Sequence, residues 1–271
     1  THTIGLIIPD NSNPFFAEVA RGIEDFGFQN GYSVILCNSD GDLKKELAYI
    51  GVLTSKRVDG IVFIAATAKA EHIKPFLGEI PLVIVDRKMP DLEADSVLVD
   101  NFGGGYAATR HLIDLGHRKI GCITGPPDLA PSADRVAGYK QALKDHGLQP
   151  LDELIVEGDF RYQSGNEGMR RLLDLEPPPT AVFACNDVMA IGAMKAVQDQ
   201  GLRVPEDIAI VGFDDITLAS FTNPTLTSVK QPKYEMGKIA LELLFQRISS
   251  SDLQGRQEII LDTTLVVRES T

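Results

Sequence analysis

A chain of 271 residues with 44% apolar content is globular, and it is longer than one compact core usually grows, so two subdomains are expected. Its 26 basic and 38 acidic side chains leave a net charge of −12, the wrong sign for gripping a phosphate backbone by counterion release, so these residues are not expected to bind DNA themselves. No apolar run approaches the roughly 20 residues of a membrane span, and the opening THTIGLII reads as a strand rather than a leader, so a chain without a membrane anchor is expected.

Taken in order, IGLIIP is a strand followed by a helix over 14–30, YSVILC by a helix over 43–55, and GIVFIA by a helix over 71–77, before PLVIV. The scheme repeats with SVLVD, a helix over 104–115, KIGCIT, a helix over 134–146, ELIVEG, a helix over 163–173, TAVFAC, a helix over 188–200 and DIAIVGF. Such alternation argues for an α/β protein built on parallel sheets with helices on both faces. Gly31, Gly116, Gly147 and Gly201 each follow a helical stretch, as expected for a left-handed residue just past a C-cap. After IAIVGFDD the order changes: 232–248 is one long helix, and two last strands fall near 257–261 and 264–268.

About ten strands are too many for one compact layer, and 95–100 reads as an extended link into a second copy of the same architecture. We therefore expect two similar doubly wound lobes, residues 1–99 with 232–260 and residues 100–231 with 261–271. The chain crosses near Val99, Lys230 and Asp262, and three short crossovers make a hinge.

Familiar catalytic signatures are missing. There is no GxxxxGK[ST] phosphate cradle and no GxSxG elbow. The run Gly103-Gly104-Gly105 lacks dinucleotide-fingerprint spacing and reads as a helix start packed against the sheet. Asp214-Asp215 has no third ligand in reach by sequence, and adjacent side chains point apart, so neither a metal nor acid/base chemistry is expected. Cys37, Cys122 and Cys185 sit in apolar strand-like stretches without CxxC spacing and read as buried thiols in a reducing cytoplasm. The five histidines show no paired ligand spacing and read as structural or surface groups. No enzyme, metal or cofactor is expected.

The chemistry that is present lies at strand ends. Ligands of open α/β sheets bind outside the carboxyl ends of the strands. Here Asn13, Phe15 and Phe16 follow IGLIIP, Asp86 and Arg87 follow PLVIV, Asn186 follows TAVFAC, Asp214 follows IAIVG and Gln231 follows TLTSV. Arg135 and Phe160 complete the set. The carboxylates accept from hydroxyls, the guanidinium forks donate, and the carboxamides do both, while phenyl rings cover apolar ring faces. That inventory suits a neutral, hydroxyl-rich small molecule. Taken singly, Asn13 reads equally as a helix cap, Phe15 or Phe16 as core, and Arg135 as a solvated helix residue.

The stretches THTIGLIIPDNSNPFF, KRVDGIVF, DNFGGGYAATRHLIDLGHRKIGCITGP, SADRVAGYKQAL, VFACNDVMAIGAMKAV, VPEDIAIVGFDDITLASFTNPTLTSVKQP and LVVREST resemble the effector-binding core of the LacI/GalR family of transcriptional regulators over essentially the whole chain. The resemblance implies a periplasmic-binding-protein-like fold with two lobes around a hinge. It also implies a ligand set of Asn13, Phe15, Phe16, Asp86, Arg87, Arg135, Phe160, Asn186, Asp214 and Gln231, matching the residue types around ribose in related ribose-binding proteins. It further implies ribose as effector, a homodimer, and operator DNA bound through a helix-turn-helix headpiece that precedes such a core and is expected outside these residues. The segment 216–226 and the helix over 43–55 are the expected dimer contacts. An extracytoplasmic sugar-binding protein of an ABC transporter shares the fold and nearly the same pocket; the unpaired cysteines and the LASFTNPTLTSVKQP and LVVREST segments favour the regulator.

Overall fold

A computed structural model describes residues 1–65, 67–76, 80–89, 91–249 and 255–271. The chain divides into two compact units, Thr1–Val99 with Pro232–Leu261 and Asp100–Gln231 with Asp262–Thr271.

Unit 1 holds a six-stranded parallel sheet. Its strands are β1 (Thr3–Ile8), β2 (Ser33–Asn38), β3 (Gly60–Phe63), β4 (Leu82–Val85), β5 (Asp95–Val99) and β11 (Glu258–Leu261), in the order β11-β5-β4-β3-β1-β2. The helices are α1 (Pro14–Gln29), α2 (Leu43–Ser55), the short α3 (Ala70–Ile73) running into a 3-10 turn at Lys74–Phe76, and α8 (Lys233–Ser249). The expected end of the third helix at Leu77 lies outside the described residues. Alternation along β1 builds two cores from one strand: Ile4, Leu6 and Ile8 pack with α1 and α8, while Ile7 packs with Ile50 and Leu53 of α2. Both faces being covered explains why β3 and β4 are uninterrupted apolar runs.

Unit 2 repeats the plan with β6 (Ile120–Thr124), β7 (Ile155–Glu157), β8 (Ala181–Ala184), β9 (Ala209–Asp214), β10 (Thr227–Lys230) and β12 (Thr264–Val266), in the order β12-β10-β9-β8-β6-β7. Only the edge strand β12 runs antiparallel, against β10. Helices α4 (Asn101–Asp114), α5 (Ala130–Asp145), α6 (Tyr162–Leu173) and α7 (Asp187–Asp199) flank it. The glycine run belongs to the first turns of α4, where a Cβ on Gly105 would collide with the Arg135 carbonyl of α5 and one on Gly104 would lie 2.7 Å from the Phe213 ring. Small residues there let α4 and α5 close together, and that approach seats Arg135 over the sheet.

The segment 95–100, read as an extended link, is largely a strand of the first sheet. Asp95–Val99 is an inner strand paired with both β4 and β11. Its Asp95 is held by a bidentate contact from Arg247 of α8, with Nε and Nη2 each 2.7 Å from a carboxylate oxygen. Gly31, Gly116, Gly147 and Gly201 all take positive φ after their helices, as read from the sequence.

Candidate functional site

Unit 2 brings these residues to the carboxyl ends of its strands: Asp214 ends β9, Phe160, Asn186 and Gln231 follow β7, β8 and β10, and Arg135 stands on α5, the helix after β6. The five form a connected network. Arg135, only 4% exposed, donates from Nε to Asn101 Oδ1 (2.8 Å) and from Nη1 to the Cys185 carbonyl (2.6 Å), and Nη1 lies 3.6 Å from Asp214 Oδ1. Its guanidinium sits 3.8 Å above the Phe213 ring and 5.9 Å from that of Phe160. Cation–π contact in a dry setting adds to the ion pair. Arg135 is therefore a buried organiser, not the solvated helix residue that its local sequence also allowed.

Gln231 donates from Nε2 to Asp214 Oδ1 at 2.7 Å, and Asn186 donates from Nδ2 to the Phe160 carbonyl at 2.9 Å while its Oδ1 caps α7 through Met189 N–H. Gln231 Oε1 is buried and has no hydrogen-bond partner among the described residues. An orphaned buried acceptor is costly and is expected where a ligand donor completes it. Asp215, beside Asp214, pairs with Arg268 at 2.6 Å, so the two adjacent carboxylates serve different partners. Among the described residues no three His, Cys, Asp or Glu side chains form a metal-holding group.

In unit 1, Asn13 Oδ1 accepts from Phe15 N–H at 3.0 Å, which makes it the cap of α1 with Pro14 at the first helical position. Phe15 and Phe16 pack edge to face, centroids 5.1 Å apart, within the core shared by α1 and α8. Asp86 and Arg87 follow β4, two strands away in the same sheet, with Nε of Arg87 3.8 Å from Asp86 Oδ2. Asp86 is 7% exposed, and its Oδ1 is a second buried acceptor without a hydrogen-bond partner among the described residues.

Backbone strain marks the same positions. Of seven non-glycine residues with positive φ among those described, three are Asp86 (70°), Phe160 (67°) and Asp214 (109°). Such conformations cost of order 1–3 kcal/mol each and persist where surrounding contacts over-determine them, often at ligand sites.

Three further polar residues of unit 2 lie beside these positions. Asn101 orients Arg135. Ser132, one turn before Arg135 on α5, has a buried hydroxyl with no partner among the described residues. Asp187 is fully buried, and its carboxylate accepts from Ile216 N–H (2.8 Å) and Ser228 Oγ (2.5 Å). Burial pushes its carboxyl well above the ordinary range and the Asp214 charge adds to this, while the hydrogen bonds from Ser228 and Ile216 act against it. Cys37, Cys122 and Cys185 are free and buried. No helix among the described residues is long and apolar enough to cross a membrane.

Two parallel-dominant sheets, each with carboxylate, carboxamide and guanidinium groups after the carboxyl ends of its strands, define a periplasmic-binding-protein-like protein. Residues 109–271 match the family described as a periplasmic binding protein-like domain. The chain is 41% identical over 272 residues to the ribose operon repressor of Escherichia coli, covering 100% of this chain and 82% of that protein. It is 39% identical over 258 residues to the HTH-type transcriptional repressor PurR of Aliivibrio salmonicida, covering 94% and 78%. A LacI family transcriptional regulator from Enterococcus faecium, solved with bound ribose, superposes with a TM-score of 0.90 at 32% identity, covering 99% of this chain and 98% of that one. The chain belongs to the LacI family of transcriptional regulators, whose members here are repressors and regulators rather than enzymes.

Proposed function

We propose that this chain is the ribose-sensing core of a LacI-family repressor. In this reading ribose is held by Asn13, Phe15, Phe16, Asp86 and Arg87 of unit 1 and by Arg135, Phe160, Asn186, Asp214 and Gln231 of unit 2. The observation that carries this reading is the pair of buried orphan acceptors, Asp86 Oδ1 and Gln231 Oε1, one on each rim. Both call for donors, and a sugar hydroxyl supplies them. Each arginine already has a carboxylate within 4 Å, so the charge balance favours a neutral sugar over a phosphorylated one. The ribose-bound neighbour and the ribose operon repressor support the same effector.

The energetics are reasonable: micromolar affinity, about −8 kcal/mol, spread over about ten heavy atoms is roughly −0.8 kcal/mol per atom, inside the ceiling for very small ligands. In a thermal-shift panel of pentoses, hexoses and ribose 5-phosphate, ribose is expected to give the largest rise, since a ligand at about 100 times its Kd adds about 2.7 kcal/mol of stability. A larger rise with ribose 5-phosphate or a hexose overturns the assignment.

Operator DNA is bound, in this reading, by a helix-turn-helix segment outside these residues, and the protein acts in the cytoplasm as a homodimer. The dimer contacts are placed on 216–226, where Leu218 and Phe221 are 50% and 76% exposed, and on α2, where Val52 is also exposed. Ligand and operator then share a coupling free energy. Light scattering at micromolar protein is expected to give twice the chain mass, and Phe221→Asp to give the chain mass. A monomeric unsubstituted protein contradicts the dimer.

A further inference from the structure

Asp214 ends β9 with φ 109°, and Asp215 continues with φ 51°, two successive non-glycine residues in the left-handed region. Something must hold that turn. The two backbone N–H groups that follow are both fixed from the interior: Ile216 N–H donates to Asp187 Oδ2 at 2.8 Å, and Asp215 N–H donates to Ser228 Oγ at 3.0 Å. The Ser228 hydroxyl in turn donates to Asp187 Oδ1 at 2.5 Å. One carboxylate, borne by the first residue of α7, thus secures the turn directly and through Ser228 on β10. Gly212 makes the room, because a Cβ there would fall on Asp187 Oδ1.

A buried carboxylate in this place is expensive, and an apolar side chain would fill the space at less cost in desolvation. Its two oxygens, however, match two donors, the Ile216 N–H of the strained turn and the Ser228 hydroxyl, which itself accepts from the Asp215 N–H of that turn. The consequence is read at Asp214, whose carboxylate lies between Gln231 Nε2 and Arg135 only while the turn keeps its shape.

We propose that Asp187 is a positioning residue for effector binding: acting through Ser228 and the amides of Asp215 and Ile216, it sets Asp214 to accept a sugar hydroxyl without touching the sugar. This rests on the proposal that Asp214 binds ribose. Asp187→Asn keeps the size but turns one acceptor into a donor, and Ser228→Ala removes the relay with little change in volume.

The test is ribose affinity by calorimetry or NMR titration for the unsubstituted protein, Asp187→Asn, Ser228→Ala, Asp214→Asn and the Asp187→Asn/Asp214→Asn double variant, at a temperature where circular dichroism shows each folded. Asp187→Asn is expected to weaken ribose about tenfold and Ser228→Ala to act in the same direction, while in the Asp214→Asn background the first change costs less than about twofold. A purely structural Asp187 lowers the denaturation midpoint and leaves the ribose Kd unchanged, which overturns the inference. Should Asp187→Asn not fold, an unaltered Kd in Ser228→Ala overturns it equally. Absence of ribose binding to the unsubstituted protein removes the functional reading itself, and the inference falls with it.

Discussion

Arg135→Ala is expected to lower the stability of unit 2 by about 3–5 kcal/mol, because removing one partner of a buried pair leaves the other uncompensated. The side chain is 4% exposed and serves four neighbours at once: Asn101, the Cys185 carbonyl, Asp214 and the face of Phe213. Truncation leaves two acceptors without their donor and exposes a cavity beneath a fully buried ring. Arg135→Lys keeps the charge but not the planar fork, so it should recover only part of the loss. Urea denaturation followed by circular dichroism gives the number. A loss below about 1 kcal/mol would mean that the guanidinium is a bystander, since exposed substitutions away from such features stay within about 0.5 kcal/mol.

Asp214→Ala is expected to remove about 2–5 kcal/mol of ribose binding, roughly 30- to 5,000-fold, since a buried charged hydrogen-bond partner is lost and the sugar donors it served are left unpaired. Part of this effect comes from freeing Gln231 and Arg135, which both lean on the same carboxylate. Asp86→Ala provides the contrast, because it deletes an acceptor of unit 1 without disturbing that network. Loss of ribose in both variants, with each folded, assigns the two carboxylates to one ligand. Unchanged affinity in Asp214→Ala removes the residue from the site.

Much of this architecture is legible in the sequence, and the exceptions have definite causes. The start of α1 announces itself, because Asn13 before Pro14 is a cap followed by a residue already fixed at helical φ. β3 and β4 read correctly because buried parallel strands are continuous apolar runs. SVLVD reads as an extended, strand-like link, but its place as an inner strand of the first sheet depends partly on β11, which arrives about 160 residues later in the chain. Local pattern cannot carry such a pairing.

The rim residues are legible from their positions after apolar runs, but their states are not. Nothing in the identity of Asp86, Phe160 or Asp214 announces a positive φ, which glycine would have signalled. Asp187 stands beside Asn186 at a strand end and invites the same reading, yet its carboxylate turns inward because Gly212 and Ser228, on neighbouring strands, leave it space and a donor. Phe15 and Phe16 could be core or ligand wall by sequence, and both rings are buried against the core of α1 and α8.

The central claim is that the acceptors on the two rims serve one ribose. Equilibrium dialysis of radiolabelled ribose against the purified chain measures this directly. One ribose bound per chain, half-saturated in the micromolar range and displaced by unlabelled ribose, is the predicted result. Retention no greater than for a protein-free control up to about 10 mM ribose, far above the micromolar Kd the ligand size allows, would contradict it.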